Sequence, residues 1–162
     1  MTLQNLSMSD LPQLAERRLS AHDSPWLAVF HSEAFASPWT TESFFDLLVL
    51  PTTLGWVLTA RGRNVGFILY QLQADEAQIL TFQIDKASQQ RGFGRYLLSS
   101  TIDSIKAAGA SSISLEVSEH RTPAQKLYES LGFILVGRRK NYYKEKQGRV
   151  DALLYSIDLT KL

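Results

Sequence analysis

Two glycines one residue apart sit inside Gln89-Gln90-Arg91-Gly92-Phe93-Gly94-Arg95, between a strand-like run and an amphipathic one. Residues without a Cβ let the backbone approach a ligand closely. A helix starting behind them turns free N–H groups and a partial positive charge outward. With Arg91 and Arg95 beside it, the stretch reads as an anion cradle suited to a pyrophosphate. It reads equally well as a glycine turn with two solvated arginines, and a Gly-x-Gly alone does not separate the two. It is not a Walker loop, because Gly-x-x-x-x-Gly-Lys is absent, nor a dinucleotide-binding turn, because Leu97 holds the third glycine position.

A second pair is Glu116, which interrupts the apolar run Ile113-Ser114-Leu115-Glu116-Val117, and Tyr128, six residues into the next helical pattern. A carboxylate on a sheet and a phenol on the crossing helix can face one cleft as general base and general acid. Taken alone, an outward-facing Glu and a core Tyr with its hydroxyl at the rim explain the same residues better. A third candidate is the basic run Arg138, Arg139, Lys140, Lys144, Lys146 and Arg149, relieved only by Glu145, with Asn141-Tyr142-Tyr143 inside it. It is either a docking surface for a polyanion, with tyrosines available for stacking, or a solvated hairpin loop, the favoured reading. His22, His31 and His120 show no ligand spacing; surface positions and no metal site are expected.

These groups need a scaffold, and the hydrophobic periods outline one. A short strand is expected at 2–6. A helix capped by Ser9 or Asp10 is expected to run to about residue 20, with Leu11, Leu14, Ala15 and Leu19 on one face. A second helix follows Pro38-Trp39, with Thr40 as N-cap and Trp39 and Phe44 as a hydrophobic staple. Strands at 54–60, 65–73 and 77–84, joined by short turn-forming connectors, predict an antiparallel meander. Phe93, Leu97, Leu98, Ile102, Ile105 and Ala108 share a helical face that Gly109 can close. A strand at 112–117 follows. Thr122-Pro123-Ala124-Gln125 reads as a capping box opening a helix to Gly132, and strands at 133–139 and 150–159 end the chain. A meander followed by a β-α-β crossover predicts one mixed sheet with helices packed on it.

Composition narrows the classes. The 162 residues suit a single domain able to bury a core unaided. With no cysteine, disulfide scaffolds, thiolate metal sites and cysteine acyl-enzymes are excluded. Seventeen Lys and Arg against sixteen Asp and Glu are too balanced for a nucleic-acid coat or a polybasic membrane anchor. The apolar stretch at 44–54 is broken by Asp46 and Pro51 and falls short of the ~20 residues of a membrane span. No signal peptide is evident, so a cytoplasmic protein is expected.

Gln89-Gln90-Arg91-Gly92-Phe93-Gly94 is similar to the Gln/Arg-x-x-Gly-x-Gly/Ala pyrophosphate motif of the GNAT N-acetyltransferases, and the order of elements around it is that family's. Leu115-Glu116-Val117, Leu127-Tyr128-Glu129-Ser130-Leu131-Gly132-Phe133, Asn141-Tyr142-Tyr143 and Gly148-Arg149-Val150-Asp151-Ala152 resemble its bacterial ribosomal-protein-alanine branch, as does Pro38-Trp39. The resemblance implies a single GNAT domain over 1–162. Its α/β (α+β mixed) fold would be a central, largely antiparallel twisted sheet of about seven strands flanked by four helices.

The resemblance also implies roles. Glu116 falls on the general base and Tyr128 on the general acid. Phe82, Gln83 and Ile84 fall on the strand edge that takes the pantetheine arm of acetyl-CoA, and Gln89 to Arg95 on the pyrophosphate loop. Arg121 stands where the family has a cofactor-contacting asparagine. Lys86 replaces a proline, and Val150 replaces an acidic residue beside Asp151. Trp39, Tyr142, Tyr143 and Asp151 fall on the acceptor wall.

The implied reaction is direct transfer of acetyl from acetyl-CoA, without metal, to a protein N-terminus, that of a small-subunit ribosomal protein being favoured. An α-amine of pKa 7.7–8.0 needs only a modest base. Neither a nucleic-acid function nor a membrane is expected, and the chain should be a monomer or weak dimer. The cations at 138–140 further suggest acceptors with acidic residues at their third or fourth position. Two alternatives stay open: a GNAT enzyme acting on a small amine or another protein, and a non-catalytic acyl-CoA-binding or RNA-docking module, which ranks low because both the glycines and the acid–base pair are present.

Overall fold

Seven strands form one sheet in the computed structural model, which describes residues 13–162. They are β1 (Leu14–Arg18), β2 (Thr53–Ala60), β3 (Arg63–Gln73), β4 (Glu76–Ile84), β5 (Ser112–Ser118), β6 (Ile134–Glu145) and β7 (Gly148–Asp158), in the order β1-β2-β3-β4-β5-β7-β6. Only β4 and β5 pair in parallel; every other neighbouring pair is antiparallel. The described residues hold four α-helices, α1 (Ser24–Ser32), α2 (Thr41–Leu48), α3 (Phe93–Ala107) and α4 (Thr122–Ser130).

The helices divide between the two faces of the sheet. Leu27 and Phe30 of α1 and Phe44 of α2 pack on Val57, Phe67 and Leu69. Phe93, Leu97, Leu98, Ile102 and Ile105 of α3 and Tyr128 of α4 pack on the opposite face with Ile68, Tyr70, Ile113, Leu115 and Val117. Neighbouring residues of a strand point to opposite faces, so β3 serves both cores and its middle is fully buried.

The feature that positions the site is a split between the parallel strands. Pairing of β4 with β5 stops at Ile79↔Leu115, although β4 continues to Ile84 and β5 to Ser118. At the same point the register of β4 on β3 skips Leu80, since Leu69 pairs with Thr81 and Tyr70 with Ile79. An extra residue in one strand bends it and sharpens its twist. The bulge therefore turns the end of β4 away from β5, leaving a V-shaped opening with one strand edge on each wall.

The meander, the long helix with Gly109 in a left-handed turn behind it, the next strand and the Thr40 cap follow the sequence expectation. Other elements differ. Residues 14–18 form a strand rather than part of a helix: they pair with β2 along the sheet edge, and that ladder outweighs the helical spacing of Leu14 and Leu19. The expected strand at 2–6 and the Ser9 or Asp10 cap lie outside the described residues. Among the described residues the first α-helix is instead α1, started by Ser24-Pro25 with proline in its first turn. The capping box at Thr122 does not form. Arg121 is the N-cap, and the Gln125 amide donates to the carbonyls of Ser118 and Glu119 at 3.1 and 3.0 Å. The basic run is not a loop, because β6 and β7 pair through Glu145↔Gly148 and leave only Lys146 and Gln147 at the tip.

Candidate active site

The expected pyrophosphate loop is built by backbone conformation. Asp85 accepts from Ser88 N at 2.8 Å and starts a 3-10 turn, Lys86–Ser88. The chain then passes through Gln90 at φ +60° and Gly92 at φ +84° into α3. The Gly92 conformation is the left-handed one that glycine adopts without steric cost. No side chain caps α3 among the described residues, so the first-turn N–H groups of Phe93, Gly94 and Arg95 are open to an anion. Arg91 is exposed over the Phe93 ring, 5.0 Å from its centroid, while Arg95 donates to Ser130 Oγ at 2.8 Å and Gln89 to the Ile84 carbonyl at 3.0 Å. A Cβ on Gly94 would meet Leu127, Phe82 and Ile84 at 3.4–3.6 Å, so the loop abuts the mouth of the split.

The two walls carry the other candidates. On β4, Phe82 and Ile84 turn toward the α3/α4 side. Gln83 turns the other way, buried, and donates to the Phe30 carbonyl of α1 at 2.7 Å. Among the described residues no strand pairs with the outer edge of β4 beyond Ile79, which leaves backbone groups of the Phe82–Ile84 stretch, apart from the Ile84 carbonyl held by Gln89, available to an extended ligand.

On β5, Leu115 and Val117 face α3 and α4, which puts Glu116 between them on the α1/α2 side. Its Oε1 lies 2.9 Å from Arg139 Nε. Tyr128 is 6% exposed and reaches the split from the α4 side, among Phe82, Phe133 and Tyr155. Burial, with a smaller contribution from Tyr143, pushes its phenol well above the ordinary tyrosine range. It therefore holds its proton at neutral pH. Tyr143 is half-buried and pushed up to about 12, chiefly by burial and next by the Glu116 carboxylate it faces.

The expected acceptor wall is partly neutralised. A register shift between Arg139 and Tyr143 sets Asn141 at φ +54° and leaves Tyr142 exposed, with its ring 5.1 Å from that of Tyr143. Asp151 accepts from Arg138 at 2.8 Å and from Asn141 N at 2.9 Å, and Arg138 also reaches Glu119 at 2.8 Å. Two of the three cations at 138–140, Arg138 and Arg139, are thus paired with carboxylates of the chain itself, which leaves Lys140 to attract an acidic acceptor. Val150 is buried.

Sequence reasoning missed His31. Rather than lying on the surface, it is 3% exposed, its ring stacks on Phe35 at 4.1 Å and its Nδ1 accepts from Trp39 N at 3.0 Å. Burial, aided by the Arg121 charge, lowers its pKa to about 4, so the ring is neutral. Its place next to last in α1, four residues ahead of Phe35 and eight ahead of Trp39, was the available signal.

Arg121 itself donates to the Ala34 carbonyl at 2.6 Å and lies 4.2 Å over the Phe35 ring. Among the described residues no three His, Asp or Glu side chains gather as a metal would require.

Comparison with known proteins agrees with this fold. The model of the acetyltransferase (GNAT) family matches residues 21–133. The [ribosomal protein bS18]-alanine N-acetyltransferase of Escherichia coli K12 is 36% identical over 107 residues, covering 66% of this chain and 72% of that one. The Haemophilus influenzae protein of that name is 40% identical over 103 residues, covering 63% and 70%. The crystal structure of the Escherichia coli ribosomal-protein-S18-alanine N-acetyltransferase superposes with a TM-score of 0.85 at 31% identity, over 91% of this chain and 94% of that one. Arabidopsis thaliana NAA60 in complex with acetyl-CoA shares the fold, with a TM-score of 0.81 at 18% identity over 91% and 99%. The chain is an N-acetyltransferase and belongs to the GNAT family.

Proposed function

We propose that this enzyme acetylates the N-terminal α-amine of a ribosomal protein, an alanine of the bS18 type being the favoured acceptor, and that it does so in the cytoplasm as a single domain. The observation that carries this reading is the split of β4 from β5, with Glu116 on its α1/α2 side and Tyr128 reaching it from α4. Similarity to the bS18-alanine enzymes supports the acceptor.

The residues fit acetyl-CoA. The uncapped α3 start with Gly92 and Gly94 would hold the pyrophosphate, aided by Arg91, and the free edge of β4 at Phe82 to Ile84 the pantetheine arm. Acetyl-CoA supplies an acetyl group already activated as a thioester. Glu116 receives the proton of the attacking amine, and Tyr128 keeps a phenolic proton for the departing sulfur. Open N–H groups on the β4 edge offer donors to negative charge on the carbonyl oxygen. Trp39, Tyr142 and Tyr143 flank the approach from the α1/α2 and β6–β7 side, where the acceptor enters.

The test is CoA release with a panel of N-terminal peptides, polyamines and free amino acids. The alanine-starting peptide should lead the panel. Turnover of polyamines alone would replace this reading with that of a small-amine acetyltransferase.

A further inference from the structure

The two walls of the split grip the same helix end. Gln83, on the unpaired stretch of β4, bonds the Phe30 carbonyl, and Arg121, just past β5, bonds the Ala34 carbonyl. The C-terminal end of α1 therefore spans the gap. From Arg121 the contact continues without a break. Its guanidinium covers Phe35, Phe35 stacks on His31, and His31 takes the Trp39 N–H. Trp39 in turn packs against Phe44 of α2, 5.3 Å between ring centroids. A planar, always-charged fork that hydrogen-bonds and stacks at once is what arginine provides and asparagine or lysine does not.

We infer that Arg121 is a positioning residue of the acceptor site: it fastens segment 34–39 across the α1/α2 side of the split and so sets where Trp39 stands against the incoming peptide. This rests on the proposed function for the statement that the acceptor enters there. The fastening itself does not depend on that reading.

The experiment compares wild type with Arg121→Ala and Arg121→Lys by amide hydrogen exchange, acetyl-CoA calorimetry and steady-state kinetics. In Arg121→Ala the amides of 34–39 should exchange about tenfold faster or more, as a segment released into local opening does. The acceptor KM should rise about five- to twentyfold while kcat stays within about threefold and acetyl-CoA Kd within about twofold. Lysine should recover part of the acceptor KM by bonding the Ala34 carbonyl without covering Phe35. If Arg121→Ala does not fold, Arg121→Met, which keeps an apolar stem over Phe35, carries the same comparison. Unchanged exchange at 34–39, or a tenfold loss of acetyl-CoA affinity, overturns the inference. If the wild type turns over no peptide, the acceptor assignment fails, while exchange and calorimetry still decide the role of Arg121.

Discussion

Arg139 and Glu116 form an ion pair at the mouth of the split, Nε to Oε1 at 2.9 Å, between a half-exposed guanidinium and a carboxylate only 16% exposed. An acceptor ammonium seeking Glu116 meets a cation already there. Arg139→Gln should therefore lower the acceptor KM by about two- to fivefold, the equivalent of a partly exposed pair worth roughly 0.4–1 kcal/mol. Initial rates against peptide concentration at low and high salt check this; the difference should shrink with salt. Glu116→Gln should cut kcat/KM by about 10²–10⁴-fold.

Tyr128→Phe removes one hydroxyl from a buried ring and leaves its contacts with Phe133 and Tyr155. Turnover should fall about 10²–10⁴-fold, with Tm within a few degrees of wild type. Because the phenol titrates far above neutrality, the wild-type rate should show no Tyr128 ionisation between pH 6 and 9. A pH–rate profile with a parallel melting curve measures both.

At Gly94, one methyl group would touch Leu127, Phe82 and Ile84 at ordinary contact distance, whereas the branches of valine would press into the mouth of the split. Gly94→Ala should fold normally. Gly94→Val should weaken acetyl-CoA binding by about tenfold or more, since the ligand loses its close approach to the backbone. Calorimetry on both variants separates the loop from a plain turn.

His31 makes stability depend on pH. Its folded pKa, about 4, lies below the ordinary 6.5, so the unfolded chain binds the extra proton between those values. The resulting stability is complete above about pH 6.5 and is lost as pH falls toward 4, on the order of 3 kcal/mol in all. Urea unfolding at pH 7 and pH 4 should show a smaller drop in His31→Gln, whose amide can still accept the Trp39 N–H, than in wild type.

Much of this site was legible in the sequence because its parts are local. The glycine loop, the period switch after it and the alternation around Glu116 are each contained in a few neighbouring residues. What escaped was long-range. Residues 14–18 become a strand only because β2 offers a free edge. Arg138 and Arg139 look like free cations until β7, paired with β6 on one side and β5 on the other, brings Asp151 and Glu116 beside them. The contacts of Arg121 were hidden because its partners, Ala34 and Phe35, lie more than eighty residues away. The bulge at Leu80 that opens the split has no glycine or proline to announce it.

The most direct measurement locates the acetyl group. The enzyme is incubated with acetyl-CoA and an alanine-starting peptide that also carries an internal lysine, and the product is sequenced by tandem mass spectrometry. Acetyl on the α-amine of the alanine, with the lysine unmodified and the product lost in Glu116→Gln, is the result expected. Acetyl on the lysine, or an unmodified peptide beside efficient acetylation of spermidine, would contradict it.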